Sequence, residues 1–154
     1  MEPINDNLQH TILLVEDTPD HAELIKYAIL SMSSGNEDVF IVEDGQEALD
    51  YLRRSGSYKD PNSSPRPDLI FLDLKLPRVH GMDVLREIKQ DEDLKLIPVI
   101  VLTTSTDDSD VERSYELGAN SFIAKPTDFR GFLHLIRGLT GYWFDTCALP
   151  SSLR

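Results

Sequence analysis

The sequence predicts an α/β domain in which a doubly wound, five-stranded parallel sheet is covered by helices, in (βα)5 order. Five short apolar runs carry this expectation, at residues 12–15, 39–42, 69–72, 99–102 and 122–124. They are rich in Ile, Val, Leu and Phe and do not alternate with polar residues, which is how strands buried on both faces read. Amphipathic stretches with helix punctuation separate them, and strict strand–helix alternation winds right-handed. The 154 residues suit one such domain. A chain of this size buries enough surface to need no disulfide or structural metal.

Each helix has its own signals. Thr18-Pro19 offers a capping hydroxyl and a proline in the first turn, after which Ala22, Ile25, Ile29 and Met32 share one face. Asp44, with Glu47 three residues on, makes a variant capping box ahead of Ala48, Leu49 and Leu52. Residues 55–67, rich in Pro, Ser and Gly, read as a surface loop, near the length at which loops are functional or mobile. The third helix is expected over 81–89, with Val84, Leu85 and Ile88 inward; the fourth, over 110–117, stops at Gly118. Thr127 or Asp128 is expected to cap a fifth helix that buries Phe129, Phe132, Leu133 and Ile136. Residues 1–10 read as a flexible N-terminal arm, 11–138 as the domain and 139–154 as a C-terminal extension.

Composition excludes several functions. With 15 Lys+Arg against 27 Asp+Glu the net charge is −12. Such a surface repels nucleic-acid phosphates and anionic lipid, so neither nucleic acid nor membrane is an expected partner. No apolar run approaches the ~20 residues of a membrane span, and the start lacks a signal peptide's basic and apolar regions. Cys147 is the single cysteine, which fits a reducing compartment and leaves an inert thiol near the chain end. A cytoplasmic protein is expected. The 4 His residues show no ligand spacing, and His80 reads as a loop residue.

In open α/β sheets the site lies at the carboxyl ends of the strands. Glu16 and Asp17 follow the first run, Asp73 the third, Thr103 and Thr104 the fourth, and Lys125-Pro126 the fifth. If those four strands are neighbours, one shallow pocket holds three carboxylates, a hydroxyl and an ammonium. Two carboxylates about 4 Å apart repel by roughly 4 kcal/mol at an effective dielectric near 20. The cluster therefore asks for a cation, and hard oxygen ligands suit Mg²⁺. A carboxylate beside such an ion can attack a phosphoryl group, and Asp73, ending the central strand, is the choice of nucleophile. Glu43 and Asp44, after the run expected at a sheet edge, read as structural.

Glu16-Asp17, Asp73, Thr103 and Lys125-Pro126, each closing an apolar run, resemble the receiver domain of two-component response regulators. Asp44-Gly45, Leu76-Pro77 and Gly118-Ala119 match further motifs of that family. The resemblance implies a flavodoxin-like sheet of order 2-1-3-4-5 and an Asp73 phosphorylated by a sensor histidine kinase. It implies Mg²⁺ held by Asp17, Asp73 and the backbone carbonyl of Lys75, with Glu16 assisting through a metal-bound water. Thr103 and Lys125 would bind the phosphoryl group, and the Lys125–Pro126 bond would be cis. Such a chain is a phosphoacceptor rather than an enzyme, with at most self-phosphorylation and self-dephosphorylation. The segment from Tyr51 to Tyr58, the run Leu102-Thr103-Thr104-Ser105 and the tail from Tyr142 to Pro150 resemble the single-domain cyanobacterial phytochrome response regulators. That narrower likeness implies a phytochrome as kinase, and a homodimer.

Phe122 stands where the family's switch aromatic is often Tyr. A phenyl ring can swing inward but has no hydroxyl to anchor. Lys75 and Ser105, two residues after Asp73 and Thr103, are expected to tune the phosphate lifetime. Little chain follows residue 138, so no effector domain is expected. Output would pass through a partner or self-association, using the 107–138 face and the extension. Tyr142, Trp143 and Phe144 either fold back on their own domain or join two copies. Three rivals stand beside this reading: a flavodoxin-type carrier, a phosphatase with an aspartyl intermediate, and a pseudo-receiver scaffold that is never phosphorylated. Glu16, Asp17 and Asp20 would repel a flavin phosphate. The haloacid-dehalogenase type of phosphatase wants an Asp where Lys75 stands.

Overall fold

The computed structural model describes residues 9–32 and 37–150. Strands β1 (His10–Val15), β2 (Glu37–Val42), β3 (Leu69–Leu72), β4 (Val99–Thr103) and β5 (Ser121–Ala124) form one sheet in the order β2-β1-β3-β4-β5. All four pairings are parallel. The flavodoxin-like order implied by the family resemblance is therefore the one observed. Central β1, β3 and β4 are buried along nearly their whole length, whereas edge strands β2 and β5 are only partly so. β1 opens at His10, inside the stretch expected as an arm; residues 1–8 of that arm lie outside the described residues.

Side chains alternate between two faces, as the pleat dictates. Leu13, Val15, Ile70, Leu72, Val99 and Val101 meet helices α2 (Gly45–Arg53) and α3 (Gly81–Gln90) through Leu49, Leu52, Val84, Leu85 and Ile88. Ile12, Leu14, Leu69, Phe71, Ile100 and Leu102 meet α1 (Pro19–Met32) and α5 (Phe129–Gly141) through Ala22, Ile25, Ile29, Phe132 and Ile136. Helix α4 (Asp108–Glu116) is anchored lightly, with Ser114 its one buried residue. The side chain of Met32 lies outside the described residues.

Several local expectations change. The Asp44 carboxylate caps the Glu47 N–H, but Glu47 reaches back to the N–H of Glu43 rather than of Asp44. The capping box is thus shifted by one residue. Asp128, not Thr127, caps α5 by accepting from Gly131 N. Phe129 is 58% exposed rather than buried: it opens α5 and lines a surface cavity, while Phe132 and Ile136 further along the helix make the core contacts. His80 is the cap of α3, its Nδ1 accepting from Met82 N. Residues 55–67 are pinned: buried Ser64 donates to two carbonyls, Tyr51 donates to Pro65 O, and Tyr58 to Glu47.

The chain past α5 continues into a π-helical turn, Tyr142–Thr146. Trp143 and Phe144 pack against the α1/α5 core, and Phe144 stacks on His10 at 4.3 Å. Of the tail's three aromatics it is Tyr142 that remains largely exposed. The folded-back alternative thus describes Trp143 and Phe144.

Candidate functional site

Parallel pairing delivers the ends of β1, β3, β4 and β5 to one rim. The backbone fixes them there: Asp73 N donates to Val15 O at 3.1 Å, and Lys125 N to Thr103 O at 2.8 Å. Side chains more than a hundred residues apart in the sequence then converge. Lys125 Nζ donates to Glu16 Oε2 at 2.6 Å and to Asp73 Oδ2 at 3.0 Å. Thr103 Oγ1 donates to Asp73 Oδ1 at 3.0 Å, and the Lys75 N–H donates to the same oxygen at 3.1 Å. Glu16, Asp73, Thr103 and Lys125 are all buried, while Asp17 is exposed at the mouth.

Glu16, Asp17 and Asp73 each present an oxygen within 4.8 Å of the others. Burial pushes Glu16 up to about 7, even though Lys125 pulls it down by hydrogen bond and charge. Burial also acts upward on Asp73, but Lys125, Lys75 N–H and Thr103 together outweigh it and leave this carboxyl below its ordinary value. One ammonium is shared between Glu16 and Asp73, with Asp17 close by, so the three carboxylates together are short of positive charge. A cluster of hard oxygens short of positive charge fits a divalent cation.

Lys75 itself is exposed, its backbone rather than its ammonium turned to Asp73. Phe122 is half-buried against the α2/α3 side of the core, and its N–H bonds the Tyr115 hydroxyl at 3.2 Å. Ser105 N donates to Thr103 Oγ1, and Ser105 Oγ donates to Asp110 Oδ2 at 2.5 Å, joining the site to α4. The expected cis bond before Pro126 is corrected: no described peptide bond is cis. An X–Pro amide prefers trans by about 0.5–1 kcal/mol, and the loop keeps that preference.

One site residue escaped the sequence reading. His21, in the first turns of α1, brings Nδ1 to 3.0 Å from Lys125 Nζ and 3.9 Å from Glu16 Oε1. Burial and then the Lys125 charge hold its imidazole below the usual range. Its position four residues after Asp17, in the first turn of the helix that follows the β1 end, was the available signal. Beside it opens a cavity of about 400 Å³, walled by Leu24, Phe129 and Phe132 with Thr104 and Thr127.

This fold, with acidic, hydroxyl and ammonium groups gathered at the carboxyl ends of its strands, defines a receiver domain of the response regulator class. The chain matches the response regulator receiver domain over residues 12–137 and belongs to that family. It is 40% identical over 146 residues to the response regulator Rcp1 of Synechocystis sp., covering 95% of this chain and 97% of that protein. The crystal structure of Mn²⁺-bound Rcp1 superposes with a TM-score of 0.85 at 41% identity, over 92% of this chain and 99% of the other. That of the phosphorylated cyanobacterial phytochrome response regulator RcpA gives 0.88 at 41% identity, over 93% and 99%. The likeness to cyanobacterial phytochrome response regulators read from the sequence is thus borne out. Among the described residues no helix is long and apolar enough to cross a membrane.

Proposed function

We propose that this chain is a cytoplasmic response regulator receiver that accepts a phosphoryl group on Asp73 from a sensor histidine kinase of the phytochrome class. The observation that carries this reading is Lys125 Nζ bridging Asp73 and Glu16 while Thr103 holds the other Asp73 oxygen. A carboxylate kept ionised by those donors is a nucleophile at neutral pH. One of its oxygens attacks phosphorus, the bond from phosphorus to the donor's leaving atom breaks, and an acyl phosphate forms. Mg²⁺ held by Asp17, Asp73 and the Lys75 carbonyl, with Glu16 behind a bound water, would neutralise the phosphoryl oxygens. Lys125 and Thr103 would each take one such oxygen. The chain is then a phosphoacceptor, with turnover limited to gaining and losing its own phosphate.

Thr103 moving toward a phosphoryl oxygen pulls on Ser105 and, through it, on Asp110 and α4. The light anchorage of α4 supports a readout through the 107–138 face, with Phe122 following. Output passes to a partner or a second copy through that face and the C-terminal extension.

Incubation with Mg²⁺ and acetyl phosphate followed by intact-mass measurement tests the assignment. The wild type should gain one phosphoryl mass and Asp73→Asn none. No gain, or equal gain in both, removes the reading.

A further inference from the structure

An ammonium has three N–H donors and no acceptor. Lys125 Nζ has three partners: Glu16 Oε2 at 2.6 Å, Asp73 Oδ2 at 3.0 Å and His21 Nδ1 at 3.0 Å. His21 Nδ1 must therefore accept, which puts the imidazole proton on Nε2. The His21 ring lies 6.4 Å from that of Phe132, and its side chain is 37% exposed at the mouth of the cavity. The three acceptors are unequal. Glu16 and Asp73 are buried carboxylates whose bonds to an ammonium are charge-assisted, whereas the imidazole is neutral and half-solvated.

We propose that His21 is a positioning residue for phosphoryl transfer: it holds the third Lys125 proton in place and yields it to an incoming phosphoryl oxygen. This rests on the reading of Asp73 as acceptor. When a phosphoryl group arrives, Lys125 must make a new hydrogen bond, and with all three donors engaged one old bond has to break. Asp73 keeps its charge until the new bond forms, so as the phosphoryl group arrives the bond to His21 costs least: water can solvate an imidazole at the cavity mouth but not a carboxylate inside. Without His21 the ammonium has a vacant donor and turns toward solvent or further onto Glu16, so part of the population is misaligned before transfer.

The test follows the labelling of Asp73 by acetyl phosphate with Mg²⁺, where the Asp73 carboxylate takes the phosphoryl group, acetate leaves and no proton changes hands. Rates are measured across donor concentrations for wild type, His21→Ala and His21→Asn, whose amide oxygen can occupy the Nδ1 position. His21→Ala should lower the maximal rate about fivefold, the worth of one lost hydrogen bond, with half-saturation unchanged. His21→Asn should restore it to within about twofold, which general loosening of α1 would not allow. The ¹⁵N resonance of the Lys125 ammonium, without donor, should be sharp in wild type and His21→Asn and exchange-broadened in His21→Ala. A His21→Ala rate equal to wild type, or His21→Asn as slow as His21→Ala, overturns the positioning role. A wild type that never gains a phosphoryl mass overturns the reading of Asp73, and the proposal with it.

Discussion

Asp44 uses one carboxylate oxygen for two purposes: Oδ1 accepts from Glu47 N at 2.7 Å, closing the start of α2, and pairs with Arg78 at 3.0 Å in the loop that follows Asp73. Gly45 N donates to Pro77 O at 3.3 Å. The start of α2 is thereby fastened to the loop that presents Asp73 and Lys75. The residue read as structural from its edge-strand position is structural, but what it supports is the acceptor loop.

A Cβ added at Gly45 would lie 2.0 Å from Val79 O, a backbone atom that cannot yield without moving the loop. Gly45→Ala should therefore cost about 1–3 kcal/mol in urea unfolding and slow labelling of Asp73 by acetyl phosphate. Arg78, with φ at +64° and its side chain 60% exposed, behaves differently. Arg78→Gly gives up a weak exposed ion pair but relieves left-handed strain, so stability should stay within about 1 kcal/mol of wild type. Equal losses in both variants would refute the distinction.

Glu16 carries a pH dependence. Burial lifts it to about 7 from 4.5, so the folded state holds its proton more tightly than the unfolded chain. Its contribution is full below the unfolded value and is lost as pH rises through about 7. In chelator-containing buffer, wild type should lose unfolding free energy relative to Glu16→Gln between about pH 5 and 8. A pH-independent difference would mean that Glu16 is not desolvated.

Lys89 has the opposite sign. Its Nζ donates to Lys95 O at 3.1 Å, Ile97 O at 2.8 Å and Asn120 Oδ1 at 3.3 Å, and burial lowers it from 10.5 to about 8. Between those values the unfolded chain binds more protons, so stability rises with pH. The difference between wild type and Lys89→Met should move in favour of wild type from about pH 8 to 10, measured by urea titration. A difference that falls over this range would contradict the shift.

The tail separates folding from association. Trp143 packs on the α1/α5 core, so Trp143→Ala should cost about 2 kcal/mol of stability by loss of half-buried area. Tyr142, 54% exposed, should change stability little. If the extension joins two copies, Tyr142→Ala weakens the dimer seen by sedimentation while leaving the unfolding midpoint in place. A strict monomer at all concentrations would remove the homodimer.

The sheet was legible because each strand is an unbroken apolar run, and the runs at 69–72 and 12–15 needed no correction at their carboxyl ends. The pocket was legible because parallel strands bring their ends to one rim, so Asp73, Thr103 and Lys125 could be matched before any distance was known. His21 was not, since its value comes from a helix phase that turns it toward Lys125, a hundred residues away. Phe129 misled because helical periodicity marks an apolar stripe without revealing that the helix opens on that residue, ahead of the turns that pack into the core. The shifted capping box turns on a single backbone N–H, finer than a spacing pattern resolves.

Ser105 stands between Thr103 and Asp110, and α4 buries little besides Ser114. An element moored by hydroxyls and a lone serine can be re-seated without disturbing either oily layer of the domain. News of a chemical event at Asp73 would then travel cheaply, and an ancestor could rewire its audience by editing the outside of that one helix while the machinery of reception stayed untouched.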